Sequence, residues 1–135
     1  MPSDEIPEPT QRFLFEQIHS FEELEVAVLL NRNSAQRWTA QSIATELKIT
    51  VNLVDDALKA LRNRGIVEVL TEGGTPFHAA SKDYKAQLSE LVAIYESHRL
   101  EIVMLMSTNA IERVRTGAIR TFADCFFVGK KRGDG

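Results

Sequence analysis

Cysteine is almost absent from this chain: Cys125 is the only one in 135 residues, so no intrachain disulfide can form. Histidine is scarce too, and His19, His78 and His98 fall on different expected elements with no ligand-like spacing to one another or to Cys125, so no metal site is assigned. Apolar runs stay short, that from Ile102 to Met106 included, far below the roughly 20 residues a membrane span requires. No basic start followed by an apolar stretch marks a secretory leader, and a cytoplasmic location is expected. A nucleophile elbow, a phosphate loop and a dinucleotide fingerprint are all missing, Gly73-Gly74 reading only as a hairpin turn. These gaps point away from an enzyme and give no cofactor to expect. Internal repeats and low-complexity segments are missing as well.

What is present is ordinary for one domain with a core: 44% of residues are hydrophobic and 26% charged. The net charge of −3 is unevenly spread. Residues 1–30 hold seven acids against Arg12, a net of −6; residues 34–64 hold five bases against three acids, a net of +2; residues 111–135 hold six bases against three acids, a net of +3. The basic regions of an acidic protein weakly favour nucleic acid as a partner.

The stretch from Trp38 to Val67 reads as two short helices joined by a tight turn. Ala40, Ile43, Ala44 and Leu47 lie at i, i+3, i+4 and i+7 behind Thr39, a candidate N-cap. Lys48-Ile49-Thr50 makes the turn, and Thr50 can cap a second helix with the stripe Val51, Val54, Ala57, Leu58 and Leu61, stopped by Gly65. Ile66 to Leu70 is strand-like, Thr71 to Thr75 is a turn signal, and Pro76 to Ala80 reads as a return strand. Upstream, Ser20 and Glu23 have capping-box spacing, and Phe21, Leu24, Ala27 and Val28 mark a core helix ending near Asn31 to Asn33. Trp38 is assigned to packing.

This order of elements resembles the winged helix-turn-helix of bacterial transcriptional regulators of the MarR type, over about residues 21 to 80. The pattern Ala40-x-x-Ile43-Ala44-x-x-Leu47-x-Ile49 with Leu58-x-x-Leu61-x-x-x-Gly65-Ile66-Val67 carries the likeness. It implies a mainly α fold, with a three-helix core, a small β-hairpin wing and long C-terminal helices, in a homodimer that binds double-stranded DNA. The hairpin departs from the resemblance: it reads Glu72-Gly73-Gly74-Thr75-Pro76, without the arginine of the Asp-x-Arg signature that takes MarR-type wings into the minor groove.

At 100° per residue, the face of the second helix opposite its stripe carries Asn52, Asp56, Lys59 and Asn63, flanked by Asp55 and Arg62. Asparagine can read adenine, and lysine or arginine can meet guanine or phosphate, so Thr50, Asn52, Lys59, Arg62 and Asn63 are the candidate nucleic-acid contacts. Asp55 and Asp56 oppose them and stand at helical spacing to pair with Lys59.

Three regions are expected: an arm and short helix over 1–20, the winged domain over 21–80, and dimerisation helices with a basic tail over 81–135. Met1 to Thr10 reads as a mobile arm, and Phe13, Leu14, Phe15 and Ile18 as a short apolar patch. Tyr84, Leu88, Leu91, Tyr95, His98, Ile102 and Leu105 step by four and three, a seam at a/d spacing. Val92, Ile94, Val103, Met104 and Met106 widen it beyond what one helix on a small domain can bury. A second subunit is therefore expected on Leu88, Leu91, Tyr95, His98, Ile102 and Leu105; the alternative is that residues 108–127 fold back over the stripe. Charging His98 inside that seam would cost burial energy at low pH unless Glu96 or Glu101 reaches it. Asn109 and Glu112 offer a further cap, followed by Ile111, Val114, Ala118, Phe122 and Cys125, with Ile119 and Phe126 alongside, before the tail Lys130-Lys131-Arg132.

Two functions follow. One is a dimeric DNA-binding regulator, with room for a small-molecule effector between its helices. The other is a winged-helix module for protein–protein contact, favoured by the net charge, the acidic wing and Asp55-Asp56.

Overall fold

Ser20, Thr39 and Thr50 each turn a side-chain oxygen onto the backbone N–H three residues ahead, and a helix begins behind each of them. The computed structural model describes residues 6–134, with side chains as far as Gly117. Its elements are α1 (Glu8–Gln17), α2 (Phe21–Arg32), α3 (Ala40–Leu47), α4 (Val51–Asn63), β1 (Val67–Glu72), β2 (Thr75–Ala80), a 3₁₀ turn at Lys82–Tyr84, α5 (Lys85–Ser97) and α6 (Arg99–Asp134).

At α3 the cap is reciprocal: Ser42 N–H donates to Thr39 Oγ1 at 3.1 Å and Thr39 N–H to Ser42 Oγ at 2.9 Å. At α2 it is not. Ser20 Oγ accepts from Glu23 N–H at 3.1 Å, while the Glu23 carboxylate takes the N–H of His19, at 2.9 Å. Lys48 ends α3 in the left-handed region, φ 60°, and Gly65 ends α4 at φ 79°, where Ile66 N–H returns to Leu61 O at 2.9 Å. Gly73 and Gly74, both at positive φ, form the two-residue turn that pairs Glu72 with Thr75 and Val67 with Ala80. Trp38 adds a single antiparallel bridge to His78, accepting its N–H at 2.7 Å; its buried indole donates to Asn33 O at 3.2 Å, a packing role.

Helix α2 is the centre of the molecule. Every side chain from Val26 to Leu30 is buried, because α2 is covered by α3, α4 and β2 on the winged side and by α5 on the other. The result is a mainly α winged helix-turn-helix with a two-stranded wing.

Three expectations change. The seam is not one helix: α5 stops at Ser97, whose hydroxyl turns back to Ala93 O and Ile94 O at 3.3 Å, and His98, outside the helical region at φ −134° and ψ 46°, starts α6 by accepting the N–H of Ile102 at 3.1 Å. Nor does a single chain leave the seam in water. Leu88, Leu91, Tyr95 and Ile102 are buried and His98 and Leu105 half-buried, because α1 packs on α5 and α6 while α2 packs on α5. The cover comes from upstream helices, and no fold-back of residues 108–127 occurs: α6 passes Asn109 without a break. Finally, the arm is shorter than expected, since α1 starts at Glu8, behind Pro7, and Ile6 and Thr10 are buried with Phe13, Leu14 and Ile18. The stripe side chains from Ala118 to Phe126 and the basic tail side chains lie outside the described residues.

Candidate nucleic-acid interface

Val54, Ala57, Leu58 and Leu61 are buried and fix α4 against the core; the helical period then decides what turns outward. Thr50, Asn52, Lys59, Arg62 and Asn63 are all exposed on one helix, as are Asp55 and Asp56. Thr50 also caps the helix, its Oγ1 accepting from Leu53 N–H at 3.4 Å. The spacing of the aspartates to Lys59 does not close into ion pairs: among the described residues Lys59 meets neither. Leu53, missed in the sequence because it lies off the stripe, is an exposed apolar side chain beside Asn52.

The charge balance changes once partners are assigned. Arg37 is ion-paired with Glu72 on the wing and lies 5.8 Å from the ring centre of Phe77; Arg64 is ion-paired with Glu23. What stays open between residues 34 and 64 is Lys48, Lys59 and Arg62 against Glu46, Asp55 and Asp56, three bases against three acids. The surplus of +2 in that stretch thus resides in two arginines already ion-paired within the chain, Arg37 at the surface and Arg64 largely buried. The wing is less acidic than its sequence, since Arg37 masks Glu72.

His78, at the centre of β2, is buried, and among the described residues its Nδ1 has no hydrogen-bond partner. Burial first and the charge of Arg62 second push its pKa below the ordinary histidine value, with Asp55 opposing. Between the end of α2, the wing and α5 lies a cleft of about 580 Å³, bordered by Asn31, Glu68, Leu70, Lys82, Lys85 and Ser89. Among the described residues no three His, Cys, Asp or Glu side chains gather as metal ligands, and no helix is long and apolar enough to cross a membrane.

No family model and no curated protein matches the chain. Solved structures do. MepR, a transcription regulator of the Staphylococcus aureus multidrug efflux pump MepA, aligns with a TM-score of 0.55 over 91% of this chain and 92% of that one, at 14% identity. The heme sensor protein PefR from Streptococcus agalactiae gives 0.53 over 90% and 86%, at 14% identity, and a ZitR variant from Lactococcus lactis 0.54 over 82% and 77%, at 16% identity. The class defined by fold and surface is a winged helix-turn-helix protein. More narrowly, its architecture is similar to that of these three solved proteins, a likeness that runs through nine-tenths of both chains in the case of MepR.

Proposed function

We propose that this protein is a DNA-binding transcription regulator that acts as a homodimer and reads the duplex with α4. The observation that carries the reading is the outward face of the second helix of a helix-turn-helix. There Thr50, Asn52, Lys59, Arg62 and Asn63 stand exposed together beside a hairpin wing. Asn52 and Asn63 offer amides for an adenine edge, Leu53 an apolar contact for a thymine methyl, and Lys59 and Arg62 charge for phosphate. Asp55 and Asp56 lower affinity for DNA of any sequence and leave a larger share of the binding energy to base contacts.

The dimer surface proposed is on α6. With the seam covered by the chain itself, the large apolar side chains left open on α6, among the described residues, are Leu100 at 67% exposure, Met104 at 53%, Ile111 at 62% and Val114 at 72%. Their spacing of four, seven and three keeps them on one stripe at the heptad period. Helix α6 has 36 residues, about 54 Å, and from Ala110 to Gly117 every side chain but Arg113 is exposed. A second copy of the same stripe is the complementary cover, and it brings two α4 helices to one duplex, with half-sites about 34 Å apart. The cleft beside the wing is the proposed seat for a small-molecule effector, its volume being in the range of such sites.

The balanced charge of the open helix-turn-helix surface favours a second reading, a module for protein–protein contact. Selection from a pool of random duplexes at low salt separates the two. Enrichment of a two-fold symmetric sequence supports the DNA reading, and Asp56→Asn should then retain more duplex of every sequence. Retention of no duplex by either protein rejects it in favour of the second.

A further inference from the structure

The C-terminal end of α1 leaves backbone carbonyls without helical partners, and side chains from α6, from the cap of α4 and from the loop after α1 fill them. Arg113 of α6 donates to Phe15 O at 3.1 Å and to His19 O at 3.3 Å, His19 Nε2 lies 3.0 Å from Glu16 O, and Arg64 at the end of α4 donates to Gln17 O at 2.8 Å. Arg64 also binds the carboxylate of Glu23, and its second nitrogen lies 3.0 Å from His19 Nδ1. A carbonyl can only accept and a guanidinium can only donate. The ring must therefore be neutral, with its proton on Nε2 and its Nδ1 lone pair toward Arg64.

We propose that His19 is a proton-operated latch on the reading helix: its neutral ring ties Arg64, and with it the C-terminal end of α4, to the end of α1, and protonation of the ring breaks that tie. A proton on Nδ1 would set one N–H donor against another and add a third positive charge beside Arg64 and Arg113. The charged groups facing the ring are Arg64 from α4, Arg113 from α6 and Glu23 from α2. Burial first, then Arg64 and Arg113, push the His19 pKa below its usual value, while the Glu16 carbonyl and Glu23 pull it the other way. The latch is thus closed at neutral pH and opens on acidification. Because α6 and α4 meet at the same corner, opening it loosens the reading helix from the helix proposed to pair the two copies. That consequence rests on the DNA reading; the latch itself does not.

His19→Gln is the informative variant, since a glutamine oxygen can accept from Arg64 and cannot be protonated. Two measurements are made on the full chain from roughly pH 7.5 to 5.5, the range over which histidine switches. The first is NMR of the His19 ring with amide exchange of residues 62–66, wild type against His19→Gln at each pH. Expected are an Nε2–H tautomer titrating below 6.5 and, after division by the intrinsic exchange rate at each pH, a loss of protection at residues 62–66 on acidification in the wild type alone. The second is affinity for a selected duplex, which should fall severalfold more on acidification in the wild type than in His19→Gln. A His19 that titrates at or above 6.5, or the same pH dependence in both proteins, overturns the latch. If no duplex binds at any pH while tautomer and exchange behave as stated, the latch holds and the DNA reading fails.

Discussion

Glu23 is nearly enclosed at the start of α2, its side chain 9% exposed, and its charge is met by the guanidinium of Arg64 and the N–H of His19. Removing Arg64 leaves that carboxylate buried without its counter-ion, so Arg64→Ala should lower the unfolding free energy by about 3 kcal/mol, read by urea denaturation. A loss under about 1 kcal/mol would mean that the pair is not what holds α4 to α2. His19 and His78 both have pKa values lowered in the folded chain, so the unfolded chain binds protons more readily. Their contribution to stability is therefore whole above the unfolded value near 6.5 and is lost as pH falls toward the folded values. Melting temperature should drop between about pH 7 and 5, and by less in His19→Gln; a flat profile would contradict the burial assigned to both rings. The exposed side chains of α4 were legible because a helical period alone sorts them. The roles of Arg37 and Arg64 were not, since their partners Glu72 and Glu23 stand far away in sequence and composition counts a bound arginine like a free one.

At the scale of elements, the winged domain was legible almost to the residue because its signals are local. Thr39, Thr50, Gly65 and the Gly73-Gly74 pair act within a few residues of themselves, whatever packs around them. Each can be tested separately. Thr50→Ala should cost about 1 kcal/mol by removing the cap of α4. Gly74→Ala should cost a similar amount, about 1 kcal/mol, although nothing crowds the position, because an alanine there must adopt φ +82°. A neutral Gly74→Ala would show that the turn can change its type. The break between α5 and α6 was not legible: Tyr95 and Ile102 keep the seven-residue spacing across it, so periodicity continues where the helix does not. The cover over Leu88 and Leu91 was hidden as well, because it depends on where α1 and α2 return in space.

For the molecule as a whole, the stripe of Leu100, Met104, Ile111 and Val114 replaces the seam as the proposed surface between copies. Met104→Lys with Ile111→Lys should give a single species near 15.2 kDa by sedimentation while the wild type runs at twice that mass, with helical content retained because both side chains are already exposed. A wild type that stays at 15.2 kDa on raising concentration would remove the dimer. Contact of α4 with DNA is tested by affinity for a selected duplex against salt, in the wild type and in Lys59→Ala with Arg62→Ala. A steep fall of log affinity with log salt is expected, becoming shallower in the double variant by about one unit for each phosphate contact removed. A slope unchanged by the double substitution would take α4 out of the interface.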